Sequence, residues 1–319
     1  MRLASLREGP DGPLVKLSAD GRRMARAGTT LQHALDDWDR WEPKLRHLVP
    51  DKPAGRLGAV LPRAFQFLDG SAYVNHVELV RRARGAEMPE RFWTDPLMYQ
   101  GCSTFLSPNA PIEGDATWGI DCEAEVAVIT GPVPMGADEA EAAHAIRLVT
   151  ILNDVSLRNL VPDELGKGFG FVQSKPPSAL APVAVTPDAL PGWDGARLHG
   201  TMHVEVNGLA LGRADAGHDM TFGFPALIAH AARTRALPAG TVIGSGTVSN
   251  RDPDGPGRPV ADGGRGYSCI AEQRMVETIL GGEARTPFLE VGDRVRIWMG
   301  DEVAPPFGVI DQKVVAAPG

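Results

Sequence analysis

The sequence predicts a strand-rich α+β protein, made of mixed β-sheets with a small N-terminal domain. Beyond about residue 60, most apolar segments are short, have the length of strands and end at turn residues. The 37 glycines and 27 prolines are spread along the chain, as expected for many strands joined by turns. A few longer segments instead repeat apolar residues at the spacing of a helix.

Residues 1–60 are predicted to form the N-terminal domain. Leu3–Arg7 and Leu14–Leu17 have the character of two short strands, and the residues between them form a turn rich in glycine and proline. Pro50–Gly55 contains two prolines and a glycine, which is typical of a boundary between domains. Residues 61–319 then form the larger domain.

Three helices are predicted from apolar residues at helical spacing. The first covers Thr29–Trp38, with Thr30 as its N-cap residue. The second covers Asp138–Thr150, which is rich in alanine and glutamate. The third covers Phe222–Ala236, with Thr221 as the candidate N-cap and a proline in the first turn, where proline is tolerated.

Four strands of the larger domain are predicted with clear limits. Val126–Thr130 stops at a Gly-Pro pair, and Met202–Val206 stops at an Asn-Gly pair, which is a strong signal for a two-residue hairpin turn. Thr241–Gly244 follows a Pro-Ala-Gly turn, and Asp293–Trp298 belongs to the last pair of strands.

Bulk properties exclude several classes of partner. The net charge of −8 argues against nucleic acids and anionic membrane surfaces, because both attract basic patches. No apolar run has the length of a membrane span, and the first residues lack the apolar core of a signal peptide. The three cysteines show no metal-binding spacing and are expected to be free thiols. We therefore expect a cytoplasmic protein that acts on a small molecule.

Glu123 and Glu125 form the most informative pattern in the chain. They occupy alternate positions of a predicted strand, Asp121–Ile129, and alternate side chains of a strand point to the same face. Two carboxylates among apolar residues raise each other's pKa unless a cation lies between them. Taken alone, the pair is more simply a solvated strand face, since charged residues are mostly exposed. A cation site needs further ligands, and Asp69 and Asp154 are the candidates.

Four groups of motifs follow one another along the chain from about Leu61 to the C-terminus. In chain order they are Phe67-Leu68-Asp69 with Tyr73 and His76, Asp121–Ile129, Leu152–Arg158, and Met220–Thr247. Together, and in this order, they resemble the fumarylacetoacetate hydrolase family. The resemblance implies the fold of that family, in which mixed sheets of a strand-rich α+β protein roll around a metal site.

The resemblance implies a metal site with four carboxylate ligands, namely Asp69, Glu123, Glu125 and Asp154. All four supply oxygen, which hard divalent cations prefer. We therefore expect Mg²⁺ or Ca²⁺, with Mn²⁺ also compatible, and not zinc. Because four carboxylates leave such a site negatively charged, a cationic side chain is expected nearby, and Arg158 and Lys175 are the candidates.

The resemblance also implies three catalytic residues. His76 follows Asp69 by seven residues, as the family's general base follows its first ligand, and Glu272 matches the acid that orients this base. A carboxylate beside a histidine fixes its tautomer and stabilises the imidazolium as it forms. Glu272 also fits a simpler role as a carboxylate at the start of a helix. Lys175 would stabilise a developing enolate or bind a substrate carboxylate.

Substrate contacts are implied at four positions, namely Tyr73, Tyr99, Arg158 and Thr247. The chain departs from the family in residues 159–174, a segment rich in glycine, and again in the two prolines that follow Lys175. Since this is the segment from which specificity is expected, the sequence leaves the acyl group of the substrate open.

The function implied is hydrolysis of a carbon–carbon bond in a β-diketo acid, with fumarylacetoacetate as the leading substrate and a homodimer as the assembly. The same scaffold serves acylpyruvate hydrolases, decarboxylases of oxaloacetate-like acids, and isomerases or dehydratases of keto acids. Decarboxylation needs a metal but no water-activating pair, so the presence of both His76 and Glu272 favours hydrolysis. A non-catalytic metal- or acid-binding relative is the remaining alternative, and it is disfavoured because none of the implied residues is lost.

Overall fold

The computed structural model describes residues 1–83 and 85–318. In this part of the chain the helices are α1 (Leu31–Asp36), α2 (Trp38–His47), α3 (Val74–Ala83), α4 (Glu139–Ala145), α5 (Val161–Gly166), α6 (Phe224–Ala232) and α7 (Ile270–Gly281). The strands are β1 (Arg2–Ser5), β2 (Leu14–Leu17), β3 (Arg23–Arg26), β4 (Lys52–Pro53), β5 (Gln66–Gly70), β6 (Met98–Gly101), β7 (Ile112–Gly114), β8 (Ile120–Asp121), β9 (Ala124–Thr130), β10 (Ile146–Asn153), β11 (Ser156–Leu157), β12 (Ala179–Leu180), β13 (Val183–Val185), β14 (Thr201–Val206), β15 (Leu209–Asp215), β16 (Thr241–Gly244), β17 (Arg294–Met299) and β18 (Ile310–Ala316).

A large mixed sheet organises the molecule. Its strands lie in the order β4-β3-β2-β1-β13-β10-β9-β16-β5-β6, and β12 also pairs with β10. The pairing of β5 with β16 is parallel, whereas β16 and β9 are antiparallel. A second sheet has the order β15-β14-β17-β18-β7, and β8 pairs with β11. The mixed sheets and the helices packed with them confirm the predicted α+β class.

The central strand β9 is buried on both faces. Val126 and Val128 pack into one apolar cluster, while Ala127 and Ile129, which alternate with them, pack into another. The second cluster also contains Leu3 and Leu14, so the first strands of the chain share a core with the centre of the sheet. Because β9 has no solvated face, a carboxylate on it lies inside the protein.

One predicted helix is wrong over its last five residues. Asp138–Thr150 contains α4 only as far as Ala145, and β10 begins at the next residue. The start of α4 is well defined, since Asp138 accepts a hydrogen bond from the backbone of Glu141 and the Glu141 side chain accepts one in return. Beyond it, β-branched residues of β10 pair with β9, and this pairing between strands overrides the helical spacing.

The limits of two other helices also differ from the prediction. Thr30 is confirmed as an N-cap, because its hydroxyl accepts from the backbone of His33 at 3.2 Å, but α1 ends at Asp36 and Trp38 begins α2. The later helix has Gly223 as its N-cap residue instead of Thr221, and it ends at Ala232. The helix α6 therefore begins without a polar side chain at its N-cap position.

The predicted hairpin turn is confirmed between β14 and β15. Asn207 and Gly208 have φ values of 54° and 79°, the left-handed conformation that a two-residue hairpin of this twist requires at both positions. The structure also confirms that the three cysteines are free. Within residues 1–83 and 85–318, no helix combines the length and the apolar character needed to cross a membrane.

Candidate active site

Three carboxylates converge where strands β5, β9 and β10 lie near one another in the large sheet. Asp69 lies in β5, Glu125 lies in β9, and Asp154 directly follows β10. Asp69 is the neighbour of Leu68 in β5, and Glu125 is the neighbour of Val126 in β9. Because neighbouring side chains of a strand point to opposite faces, both carboxylates lie on the face opposite these two apolar side chains. Oxygens of all three carboxylates lie within 4.8 Å of one another, and all three residues are buried.

The strand between β5 and β9 leaves room for these side chains. This strand, β16, ends at Gly244, and a Cβ atom at that position would lie 2.4 Å from Asp69 Oδ1 and 2.8 Å from Glu125 Oε2. Any larger residue would therefore collide with two of the carboxylates. Glycine at position 244 is therefore what allows the two carboxylates to occupy these positions.

The donor set fits a divalent cation. Both oxygens of Glu125 are buried and accept no hydrogen bond from any described residue, which is costly for a carboxylate. Asp69 accepts from the backbone of Gly246 at 3.0 Å. Three buried carboxylates with free oxygen lone pairs are the ligands that a hard cation such as Mg²⁺ takes in proteins.

Glu123 lies beside this cluster, where it shares the donor Lys175 with Asp154, but it has different partners. It lies between β8 and β9, so the strand predicted over Asp121–Ile129 is interrupted at this residue. Arg158 Nη2 donates to one of its oxygens at 2.6 Å, and Lys175 Nζ donates to the other at 2.7 Å. Lys175 also donates to Asp154 at 2.6 Å. The two cations expected beside the carboxylates are therefore both there.

The electrostatic environment divides the carboxylates into two kinds. Burial and the neighbouring Asp154 raise the pKa of Asp69 to about 7. Burial and Asp69 raise the pKa of Glu125 well above its ordinary value. Burial also opposes the ionisation of Glu123, but Arg158 and Lys175 outweigh it and hold the pKa of Glu123 below its usual range. The raised pKa values of Asp69 and Glu125 mean that a bound cation would compete with protons for these two carboxylates.

Metal binding is expected to stabilise the protein more as the pH rises. The pKa of Asp69 is about 7 in the folded protein and 3.8 ordinarily, so protonation of Asp69 favours the folded state. This contribution to the free energy of unfolding is fully present below pH 3.8 and is lost as the pH rises through 7. A bound divalent cation would replace that proton. Thermal unfolding with Mg²⁺ and with a chelator, on either side of pH 7, measures the difference. A metal-induced shift in Tm that is the same at both pH values would contradict this expectation.

His76 and Glu272 meet although they lie 196 residues apart in sequence. His76 lies in the first turn of α3 and Glu272 lies in the first turn of α7. The His76 Nδ1 atom is 2.8 Å from Glu272 Oε2. The other Glu272 oxygen accepts from the Ser249 hydroxyl at 2.9 Å, and Ser249 in turn accepts from Asn75 at 2.6 Å. Because the carboxylate accepts from Nδ1, the His76 Nε2 atom is left as a proton acceptor.

Asp121 connects this pair to the carboxylate cluster. One of its oxygens accepts from the backbone of Ile270 at 2.8 Å, and the other accepts from Ala271 at 2.9 Å and from Arg158 Nε at 2.9 Å. Arg158 continues to Glu123. The buried Asp121 carboxylate therefore accepts from the first backbone N–H groups of α7, the helix that carries Glu272, and links this helix through Arg158 to Glu123.

The Asp121→Ala variant is expected to lose about 3 kcal/mol of unfolding free energy, because removing one partner of a buried charged pair leaves the other groups unpaired. Urea unfolding measures the loss. Asp115→Ala is the matched control, since Asp115 caps a short exposed turn by accepting from Thr117 at 2.8 Å. That variant is expected to lose about 1 kcal/mol. Equal losses for the two variants would contradict the role of Asp121.

The four predicted substrate residues have different environments in the structure. Tyr99 donates to Asp154, and its ring lies 5.2 Å from Lys175 Nζ, so it belongs to the site. Arg158 is engaged with Asp121 and Glu123. Tyr73 is buried and donates to the backbone carbonyl of Ala216. Thr247 is buried three residues beyond β16.

Four residues of the site were not predicted from the sequence, namely Asn75, Asp121, Ser178 and Ser249. Ser178 donates to Asp154 Oδ1 at 2.5 Å. Asn75 is next to His76 in sequence, and Asp121 lies within the motif that contains Glu123. Nothing in their spacing indicates their partners, because each partner lies on a distant segment of the chain.

Comparison with known proteins agrees with this architecture. Three solved structures have the same fold: a fumarylacetoacetate hydrolase from Exiguobacterium antarcticum (TM-score 0.70, 18% identity, 99% of both chains), a maleylpyruvate hydrolase from Sphingobium solved with manganese(II) and pyruvate (0.63, 18%, 100% of both), and a 2-hydroxyhepta-2,4-diene-1,7-dioate isomerase from Mycobacterium marinum (0.59, 19%, 99% of this chain and 98% of that one). At these identities the likeness shows the fold and not the reaction.

The family assignment comes from the sequence. Residues 66–315 match the family described as fumarylacetoacetate (FAA) hydrolase C-terminal, and residues 1–64 match fumarylacetoacetase N-terminal domain 2. The first match spans most of the chain and contains both the carboxylate cluster and the His76–Glu272 pair. The chain therefore belongs to the fumarylacetoacetate hydrolase family.

Proposed function

We propose that this protein is a metal-dependent hydrolase that cleaves a carbon–carbon bond in a β-diketo acid, with fumarylacetoacetate as the leading substrate and fumarate and acetoacetate as products. The observation that carries the proposal is the hydrogen bond of 2.8 Å between His76 Nδ1 and Glu272 Oε2. It supplies a base for water beside a buried carboxylate cluster, and hydrolysis needs both.

The clustered carboxylates of Asp69, Glu125 and Asp154 would hold the metal. We propose Glu123, which accepts from Arg158 and Lys175, as the fourth ligand. A bound divalent cation supplies Lewis-acid polarisation of the substrate carbonyl. We propose Mg²⁺ or Ca²⁺, and Mn²⁺ also fits the oxygen ligands. Manganese is the ion in the maleylpyruvate hydrolase of the same fold.

The water-activating step belongs to His76. Its Nε2 atom takes a proton from water, and the resulting hydroxide bonds to the carbonyl carbon of the substrate. Glu272 holds the ring through Nδ1 and stabilises the imidazolium. Ser249 and Asn75 fix the carboxylate in turn, so the base is oriented before the substrate arrives.

Lys175 acts on the leaving group. When the carbon–carbon bond breaks, its electron pair forms an enolate, and this carbon then takes a proton as the two acids are released. Two of the three ammonium donors of Lys175 are used by Glu123 and Asp154, which leaves one for an oxygen of the substrate. Burial lowers the pKa of Lys175, but Asp154 and Glu123 raise it above its ordinary value, so the charge persists at neutral pH.

The alternatives on this scaffold are an acylpyruvate hydrolase, an oxaloacetate-type decarboxylase and a keto-acid isomerase. An acylpyruvate hydrolase would use the same water-activating pair, and only the acyl group would differ. Decarboxylation and isomerisation do not add water to the substrate, so they would leave His76 and Glu272 without the role described here.

Turnover of fumarylacetoacetate, maleylpyruvate and oxaloacetate by the purified protein tests the proposal. Each substrate is assayed with added Mg²⁺ or Mn²⁺ and again after chelation. We expect metal-dependent cleavage of one of the two diketo acids and no turnover of oxaloacetate. Activity on oxaloacetate alone would overturn the proposal in favour of a decarboxylase. The homodimer and the cytoplasmic location remain predictions, and light scattering of the purified protein measures the first.

A further inference from the structure

A buried glutamate organises the segment that leads into Lys175. Glu164 lies in α5, and one of its oxygens accepts from the backbone of Val172 and of Gln173, both at 2.9 Å. The other oxygen accepts from the backbone of Ser174 at 3.0 Å and also from the Ser174 hydroxyl. A single side chain thus binds three consecutive residues, and the next residue is Lys175.

Among the described residues, few other contacts hold this part of the chain. Residues 165–170 are exposed, and Phe169 and Val172 have 86% and 84% of their surface accessible. On the far side, the carbonyl of Ser174 accepts from the backbone of Leu157 at 2.8 Å. The Glu164 carboxylate is therefore the main link between α5 and the residues before Lys175, and its four donors lower its pKa to about 2.

We propose that Glu164 is a positioning residue that fixes Lys175 between Glu123 and Asp154. The role assigned to Lys175 rests on the proposed function, but the mechanical link does not. Glu164 accepts from residues 172–174, and this sets the backbone from which the Lys175 side chain reaches both carboxylates, at 2.7 and 2.6 Å. The same segment places the Phe171 ring 5.4 Å from the ring of Tyr99, edge to face, so one carboxylate orders two walls of the site.

The Glu164→Gln variant has nearly the same shape and tests the link. A glutamine oxygen can still accept hydrogen bonds, but its NH₂ group faces backbone donors, so part of the arrangement is lost. Hydrogen–deuterium exchange of the amides of residues 172–174 in the full chain measures the loss. Losing hydrogen bonds to a charged group is expected to speed their exchange about 10-fold or more. Asp163→Asn, exposed on the same helix, is the matched control and is expected to leave exchange unchanged.

Lys175 itself supplies a second readout without any substrate. Its side chain is only 9% exposed, and we expect it to resist acetylation by an amine-reactive reagent in the unaltered protein and to become reactive in Glu164→Gln. Exchange and labelling that match the unaltered protein would overturn the proposal. Because neither measurement depends on turnover, they decide it even when no diketo acid is cleaved.

Kinetics then separate positioning from general damage. On a substrate that the protein cleaves, Glu164→Gln is expected to lower kcat and to leave Tm nearly unchanged. The same substitution in a Lys175→Met background is expected to lower kcat no further, because the group through which it acts is already absent. An equal loss of kcat in both backgrounds would show that Glu164 acts by another route and would overturn the role proposed for it.

Discussion

Replacing His76 by alanine is expected to lower kcat about 10²- to 10⁴-fold, which is the usual contribution of a general base. The protein is expected to fold and to bind divalent metal as before, because His76 is not among the clustered carboxylates and its side chain is partly exposed. Steady-state kinetics on the substrate identified above measure the loss, and isothermal titration with Mn²⁺ measures metal binding.

The matched control for this variant is His144→Ala. His144 is an exposed histidine at the end of α4, where its ring contacts the carbonyl of Ala140. Its removal is expected to leave kcat unchanged. The Glu272→Gln variant is expected to follow His76→Ala in direction, since it removes the charge that orients the ring. Near-normal turnover by a folded His76→Ala protein would end the role of His76 as the base.

Replacing Glu125 by glutamine is expected to weaken divalent metal binding at least about 10²-fold, since even residues behind the ligands typically contribute 10- to 100-fold. The metal-free variant is expected to be more stable than the unaltered protein. Burial and Asp69 oppose the charge of Glu125, and the amide that replaces it can donate to a neighbouring carboxylate. Titration with Mn²⁺ and thermal unfolding in a chelator measure the two effects.

Glu123→Gln provides a contrast within the same motif. Glu123 is paired with Arg158 and Lys175, so removing its charge leaves two buried cations less well compensated. This variant is expected to lower the Tm of the metal-free protein. If both variants shifted the metal-free Tm in the same direction, the electrostatic distinction between Glu123, which is ion-paired, and Glu125, which faces other carboxylates, would be wrong.

The oxygen chemistry of the site was predictable because it depends on residue types. Glu123 and Glu125 stand at alternate positions of an apolar segment, and four carboxylates without cysteine or histidine favour a hard cation wherever they meet. The Asn-Gly turn after β14 and the N-cap at Thr30 were predictable for the same reason. Each is set by the conformational preference or hydrogen bonding of a few adjacent residues.

Only the tertiary structure determined which partners these residues have. Ile146–Thr150 has helical spacing but forms part of strand β10, because its backbone pairs with the antiparallel strand β9. Glu123 and Glu125 look alike in sequence, yet Glu123 accepts from Arg158 and Lys175 while Glu125 lies against the carboxylates of Asp69 and Asp154. A sequence records the donors and acceptors that a chain carries, whereas the pKa and role of each depend on which of them folding brings within a few ångströms.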